Sequence, residues 1–226
     1  MDKKLPNFGL FHFVGIGGIG MSGIAELMNK LGYKVQGSDL NIGSNIKRLT
    51  KQGIKVYIGH KKKNVANVRA VVFSSAIKKN NVELVESIKK KLPVISRAEM
   101  LGELMRFKKG ISVAGSHGKT TTTSILGNII EKAKLDPTIV NGGIINSLLT
   151  NSRMGNGDWM VVEADESDGS FLHLPNQINI ITNIDEEHLD YYGNFDNLYD
   201  AFKKFSSNIP FYGNSVICLE NKYSKK

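Results

Sequence analysis

Gly110-Ile111-Ser112-Val113-Ala114-Gly115-Ser116-His117-Gly118-Lys119-Thr120-Thr121-Thr122-Thr123-Ser124 decides how this chain is read, because an apolar strand candidate runs through a glycine-bracketed turn into a helix. Gly115 and Gly118 let backbone N–H groups approach an anion with no Cβ in the way. The helix that starts near Lys119 aims its positive dipole end at the same point. Lys119 adds a point charge for the outer phosphates of a triphosphate, and the Thr120 hydroxyl is placed to ligate a bridging magnesium ion. The spacing departs from Gly-x-x-x-x-Gly-Lys-Ser/Thr: Val113 stands at the first glycine position, so the turn is shorter than usual. The strand before it and the helix after it favour a nucleotide-phosphate site over an ordinary helix-capping turn.

Upstream, Leu10-Phe11-His12-Phe13-Val14 leads into Gly15-Ile16-Gly17-Gly18-Ile19-Gly20-Met21-Ser22-Gly23 and then apolar residues at helical spacing. Gly15, Gly17 and Gly20 match the Gly-x-Gly-x-x-Gly fingerprint of a diphosphate-binding strand–turn–helix. Asp39 closes the next strand candidate, Lys34 to Asp39, where a ribose hydroxyl would bind. The fingerprint alone suits a nicotinamide dehydrogenase equally well, since it specifies a diphosphate and no hydride transfer. His12, inside the strand, reads as a packed core histidine. Helices at 46–52, 82–90 and 98–106 alternate with strands at 54–58, 70–73 and 94–95. That alternation predicts a mostly parallel sheet covered on both faces. Ser74 and Ser75 fall at a strand's C-terminal end, the ligand-binding edge of such sheets, though capping serves them as well. Phe107-Lys108-Lys109 reads as a linker, dividing the chain into 1–107 and 108–226.

Beyond the phosphate turn, a helix is expected to about Lys132 and a strand over Thr138 to Val140. Trp159-Met160-Val161-Val162-Glu163-Ala164-Asp165-Glu166-Ser167-Asp168 is an apolar strand that ends in acids. Downstream of a phosphate loop, such a strand presents a carboxylate to the nucleotide's magnesium, and Glu163 at its end is the candidate ligand. Four acids so close together repel one another unless a cation or hydrogen-bond donors offset them. The strand Ile178 to Thr182 leads through Asn183 to His188, whose neutral imidazole is a possible metal ligand on the same sheet edge. A helix at 198–205 and a strand at 215–219 follow.

The 226 residues suit two domains, and 41% hydrophobic with 23% charged residues describes a soluble globular protein. No run of eighteen apolar residues exists, and Met1 to Phe8 lacks a secretory h-region, so a cytoplasmic location without a membrane anchor is expected. Cys218, alone in an apolar run, reads as a reduced, buried core residue. The net charge of +9 invites a nucleic-acid reading. The lysines are scattered, however, with no recognition motif or aromatic platform beside them. A lysine-rich surface around sites for anionic small molecules is expected, with no nucleic-acid partner.

Six segments in this order resemble the Mur ligase family: residues 15–26, 74–77, 97–106, 115–123, 163–168 and 182–190. The resemblance spans essentially the whole chain and is strongest to the family's alanine-adding branch. It implies a Rossmann-like UDP-binding α/β domain with a mostly parallel sheet, then an incomplete P-loop-type α/β ATP-binding domain. It also implies UDP-N-acetylmuramate and L-alanine as partners, with ATP and Mg2+ as cofactors. By motif position, Gly115, Ser116, His117, Gly118, Lys119, Thr120, Thr121 and Asn183 would bind ATP. Thr120 and Glu163 would ligate one magnesium and His188 a second, so Lys119, Thr120, Glu163 and His188 form the implied catalytic set. Gly15, Gly17, Gly18, Gly20 and Ser22 would hold the UDP diphosphate, with Asp39, His60 and Ser74 as further substrate candidates. Ser116 stands where the family usually has Thr. Lys203 and Lys204 lie near the place of a carbamylated lysine in sister ligases, a role the alanine-adding branch does not support.

The resemblance further implies that the rest of the ATP domain and a C-terminal amino-acid domain are missing. Poor turnover, exposed sheet edges and self-association are then expected. A nicotinamide oxidoreductase, a murein-tripeptide recycling ligase and a non-catalytic UDP-sugar-binding fragment remain as alternatives.

Overall fold

The structure, a computed structural model, describes residues 9–145 and 150–224, with the side chains of 143–145 and 150–151 excepted. Met1 to Phe8, read above for a leader, and Lys225 and Lys226 lie outside the described residues. The chain divides into two compact units between Met100 and Leu101.

The first unit is built on a five-stranded parallel sheet. Its strands are β1 (Leu10–Val14), β2 (Lys34–Asp39), β3 (Lys55–Ile58), β4 (Ala70–Phe73) and β5 (Val94–Ser96), in the order β3-β2-β1-β4-β5. The central strand β1 carries Phe13 and Val14, both fully buried. Helix α1 (Ile19–Lys30) lays Met21, Ile24, Leu27 and Met28 against the core, which is why its apolar residues recur at helical spacing. Helices α2 (Ser44–Lys51) and α3 (Val82–Lys89) continue the alternation, and α4 (Arg97–Met105) runs across the boundary into the second unit. The chain leaves β1 for β2 on one side and later returns to β4 on the other. The strand order therefore reverses at β1, opening a crevice at the carboxyl ends of the strands. At Gly37 a Cβ would meet Ile16 Cβ at 2.7 Å, so β2 passes too close to the glycine turn for any side chain.

In the second unit β6 (Lys109–Ala114) lies between β9 (Trp159–Glu163) and β10 (Ile178–Ile181). With β7 (Thr138–Ile145), β8 (Thr150–Arg153) and β11 (Asn214–Ile217) the order is β11-β10-β6-β9-β7-β8. Every pairing is parallel except that of β7 with β8. The helices are α5 (Lys119–Lys132), α6 (Leu189–Tyr192) and α7 (Phe195–Ser207). Phe171, in the 3-10 turn Ser170–His173, stacks on Phe205 at 5.0 Å and meets the edge of Phe202 at 5.4 Å, fixing α7 to that turn.

Two sequence expectations need correction. Cys218 is exposed, because it follows β11, an edge strand with every residue exposed among the described residues. The segment 107–109 is no plain linker, since Lys109 already pairs with Trp159 in the sheet. One strand, β8, went unforeseen, as Thr-Asn-Ser-Arg carries no apolar alternation. A long-range contact secures that region: Arg153 donates to Asp136 Oδ1 and to the Pro137 carbonyl, both at 2.8 Å. No helix among the described residues is long and apolar enough to cross a membrane.

Candidate functional site

A cavity of about 460 Å3 opens at the carboxyl end of the first sheet. Its walls include Gly15, Gly17, Gly18, Asp39, His60 and Ser74. Six sequence-predicted residues from four separate segments thus converge there. Gly15 has φ of +79°, which L side chains rarely adopt, and Gly18 precedes α1 as its N-cap. Asp39 braces the turn from across the sheet, accepting from the Gly17 amide and from Leu40 N, each at 2.8 Å. A Cβ on Gly17 would sit 2.9 Å from Asp39 Oδ2 and 3.2 Å from Ile46 Cδ1. Gly20 and Ser22 stand apart from this lining. A Cβ at Gly20 would meet Arg97 Cδ at 3.1 Å. Ser22 is fully buried, its hydroxyl donating to the Ile19 carbonyl at 2.9 Å and accepting from Arg48 at 3.3 Å.

In the second unit the Gly115–Thr120 turn adopts the backbone its glycines permit, with φ of +136° at Gly115 and +79° at Gly118. Thr182 and Asn183, at the end of β10, hold it in place. Asn183 accepts from His117 N through Oδ1 at 2.8 Å, donates to the His117 carbonyl at 2.9 Å, and takes the Ser116 amide on its own carbonyl at 3.1 Å. Asp185 N donates to Ser116 Oγ at 2.8 Å, so the hydroxyl at position 116 serves the loop's shape. The amides of residues 116 and 117 are therefore spent on Asn183. Those of Gly118, the N-cap of α5, and of Lys119 to Thr121, its first turn, have no partner among the described residues and can face an anion.

Lys119 folds back over the loop. Its ammonium donates to the Gly115 carbonyl at 2.6 Å and to Glu166 Oε1 at 2.7 Å. Thr120 Oγ1 lies 2.9 and 3.0 Å from the two oxygens of Glu163, which also accepts the Gly142 amide at 2.6 Å. Thr120 and Glu163, the two residues expected to share one magnesium, thus lie side by side. His188 joins a different carboxylate: its Nε2 is 3.5 Å from Glu166 Oε1. One ligand atom each from Glu166, Glu187 and His188 lie within 4.8 Å of one another. His188 has φ of +56°, a backbone state that non-glycine residues hold only where surrounding structure enforces it.

Glu166 and Glu187 were not among the sequence candidates. Glu166 is almost wholly buried, and burial raises its carboxyl pKa despite the Lys119 ammonium beside it. Its Oε2 has no partner among the described residues, and the Glu187 carboxylate near it adds an oxygen of the hard kind that magnesium prefers. The acidic run at 163–168 signalled a cation site without saying which acids face inward. Alternation along an irregular loop carries no such information.

Comparison with known proteins agrees with this geometry. Residues 10–109 match the description "Mur ligase family, catalytic domain", and residues 113–226 match "Mur ligase middle domain". The UDP-N-acetylmuramate--L-alanine ligase of Brucella ovis is 59% identical over 219 residues, which cover 96% of this chain and 46% of that protein. The chain therefore spans about half the length of the curated relatives it matches. Among solved structures, the UDP-N-acetylmuramate-alanine ligase of Thermotoga maritima superposes with a TM-score of 0.86 at 32% identity, over 95% of this chain and 50% of that one. A UDP-N-acetylmuramate:L-alanyl-gamma-D-glutamyl-meso-diaminopimelate ligase from Neisseria meningitides shares the fold, with a TM-score of 0.88 at 24% identity over 96% of this chain and 73% of its own. With both halves of the sequence matched, and with the glycine-turn cavity and the Gly-Lys-Thr loop folded in successive units, the chain belongs to the Mur ligase family.

Proposed function

We propose that this chain forms the nucleotide-sugar and ATP-loop portions of a cytoplasmic ligase that joins L-alanine to UDP-N-acetylmuramate at the expense of ATP. The observation that carries the reading is that a glycine turn opens a helix in each of the two units, the second with Lys119, Thr120 and Glu163 beside it. A dehydrogenase needs only the first, and would leave Lys119, Thr120 and Glu163 without a task. In this reading residues 1–107 hold the UDP-sugar through the cavity around Gly15, Gly17, Gly18, Asp39, His60 and Ser74. Gly20 and Ser22 support the turn from within α1. Residues 108–226 hold ATP on the amides after Gly118, with Asn183 bracing the loop.

The chemistry follows from charge. A substrate carboxylate oxygen attacks the γ-phosphorus of ATP, ADP leaves, and the resulting acyl phosphate is attacked at carbon by the alanine amine. Phosphate departs, the nitrogen loses a proton, and an amide remains. Two anions must meet in the first step, so their repulsion has to be offset. Lys119 supplies a cation at the outer phosphates once they draw its ammonium away from Glu166. Thr120 and Glu163 would hold one magnesium ion, and His188 with Glu166 and Glu187 a second. When bound, these ions neutralise phosphate charge.

Calorimetric titration of the chain with UDP-N-acetylmuramate tests the reading. Saturable binding is expected for the wild type and none for Gly17→Val, whose side chain has no room beside Asp39 and Ile46. Absence of binding by the folded wild type would overturn it. Since the chain spans 46% of its relative's length, we expect little alanine-dependent phosphate release from it alone. Efficient release would refute that part.

A further inference from the structure

Behind the cavity of the first unit lies a buried polar cluster that none of the motifs explains. Glu83, the second residue of α3, has a fully buried side chain. Capping does not require it there, because the Asn81 side chain already accepts the Glu83 amide at 2.9 Å. Its carboxylate instead gathers donors from several segments. Oε2 accepts from Ser38 Oγ at 2.5 Å and faces His60 Nδ1 at 3.0 Å and His12 Nε2 at 3.4 Å. Oε1 accepts from Asn64 Nδ2 at 2.6 Å and from the Lys61 amide at 3.2 Å. Burying a carboxylate is unfavourable unless its lone pairs are met, and here Ser38, His60, Lys61 and Asn64 meet them.

The partners determine where the histidine hydrogens sit. Gln36 Nε2 has only hydrogens to give. It lies 3.2 Å from His12 Nδ1 and donates to the Asn64 carbonyl at 2.8 Å, so His12 Nδ1 accepts and its Nε2 bears the hydrogen that faces Glu83. At His60 two oxygens face Nδ1, Ser38 Oγ and Glu83 Oε2, each at 3.0 Å; the carboxylate has only lone pairs to offer, and at 2.5 Å from Ser38 Oγ it is the carboxylate that takes the hydroxyl hydrogen. Nδ1 of His60 must therefore carry one too. In the neutral ring this leaves Nε2 as an acceptor, on a side chain that forms part of the cavity wall. His60 follows β3, which lies beyond β2 from the glycine turn after β1. It therefore stands at the nucleoside end of a diphosphate ligand and away from the phosphates.

We propose that Glu83 is a positioning residue that locks His60 in the Nδ1–H tautomer, so that its Nε2 selects nucleotides presenting a hydrogen-bond donor on the nucleoside. Such a donor is either the imide N–H of a uracil base or a ribose hydroxyl. The inference rests on the reading of the cavity as the UDP-sugar site and names a residue that sets its specificity.

Two measurements on the 226-residue chain test it. Imidazole 15N NMR at pH 8, without ligand, is expected to show His60 as the Nδ1–H tautomer; an Nε2–H tautomer overturns the proposal whatever the cavity binds. Titration then compares UDP with N3-methyl-UDP, 2′-deoxy-UDP and 3′-deoxy-UDP. The wild type is expected to lose about tenfold for whichever analogue lacks the donor, the weight of one hydrogen bond. Glu83→Gln, if its melting curve shows it folded, is expected to bind UDP more weakly and to lose that discrimination. Equal binding of all four nucleotides by the wild type refutes the proposal and leaves the UDP site standing. No saturable UDP binding by the wild type defeats the site reading itself, and the proposed ligand with it.

Discussion

At the scale of single residues, the second unit's site depends on positions where only one side chain fits. Gly115 is the clearest: with φ of +136°, a Cβ there would lie 2.0 Å from Thr182 Oγ1 and about 3 Å from the Asn183 backbone. Gly115→Ala must push β10 away from the loop or break the turn. A loss of roughly 2–4 kcal/mol is expected in urea unfolding, with ATP binding abolished. Glu166 makes a different point. Its carboxylate pairs with the Lys119 ammonium, which is 15% exposed, at 2.7 Å. Glu166→Gln leaves that cation without a counter-ion, so about 1–3 kcal/mol of stability should be lost, read from the urea midpoint at constant slope. An unchanged midpoint would show that the pair carries no net weight. The sequence made Lys119 and Thr120 legible through spacing. Glu166 was not legible, because which acid of 163–168 turns inward is set by Lys119 and His188, distant in the chain.

At the scale of elements, most strands and helices fall within a residue or two of where periodicity puts them, and Ala70–Phe73 falls on it. The differences have local causes. Helix α7 begins at Phe195, three residues before the apolar pattern, because Asn194 caps it by accepting the Asn197 amide at 2.9 Å. Strand β11 shows what pattern alone misses. Its apolar residues suggest a buried strand, yet Val216 is 54% exposed, and Leu219 just beyond is 60% exposed. Such an edge offers unpaired backbone groups beside apolar surface, a template for another strand. Val216→Lys is therefore expected to reduce concentration-dependent association measured by light scattering after size exclusion. A wild-type chain that stays monomeric at every concentration would contradict this.

For the whole molecule, the pH dependence of stability is governed in part by Glu83. Burial works to raise its pKa, but hydrogen bonds from His12, Ser38 and Asn64 outweigh that and lower it from 4.5 to about 2. A carboxyl depressed on folding contributes stability that is complete above its unfolded value. That contribution is lost as pH falls from about 4.5 toward 2. Urea midpoints should therefore decline across that window, and Glu83→Gln should flatten the decline. By itself the sequence determined the α/β class, the two glycine turns, the Gly-Lys-Thr loop and the family, because these depend on residue types at short, fixed spacings. Local periodicity and turn chemistry act within a few residues of the chain and so can be read along it. Only the tertiary structure decided that Asp39 closes on Gly17, that Asn183 takes up the amides of residues 116 and 117, that Glu166 sits between Lys119 and His188, and that Glu83 lies behind His60. Each of those contacts joins residues far apart in sequence, and the partner of a buried polar group is set by which strands the sheet places side by side.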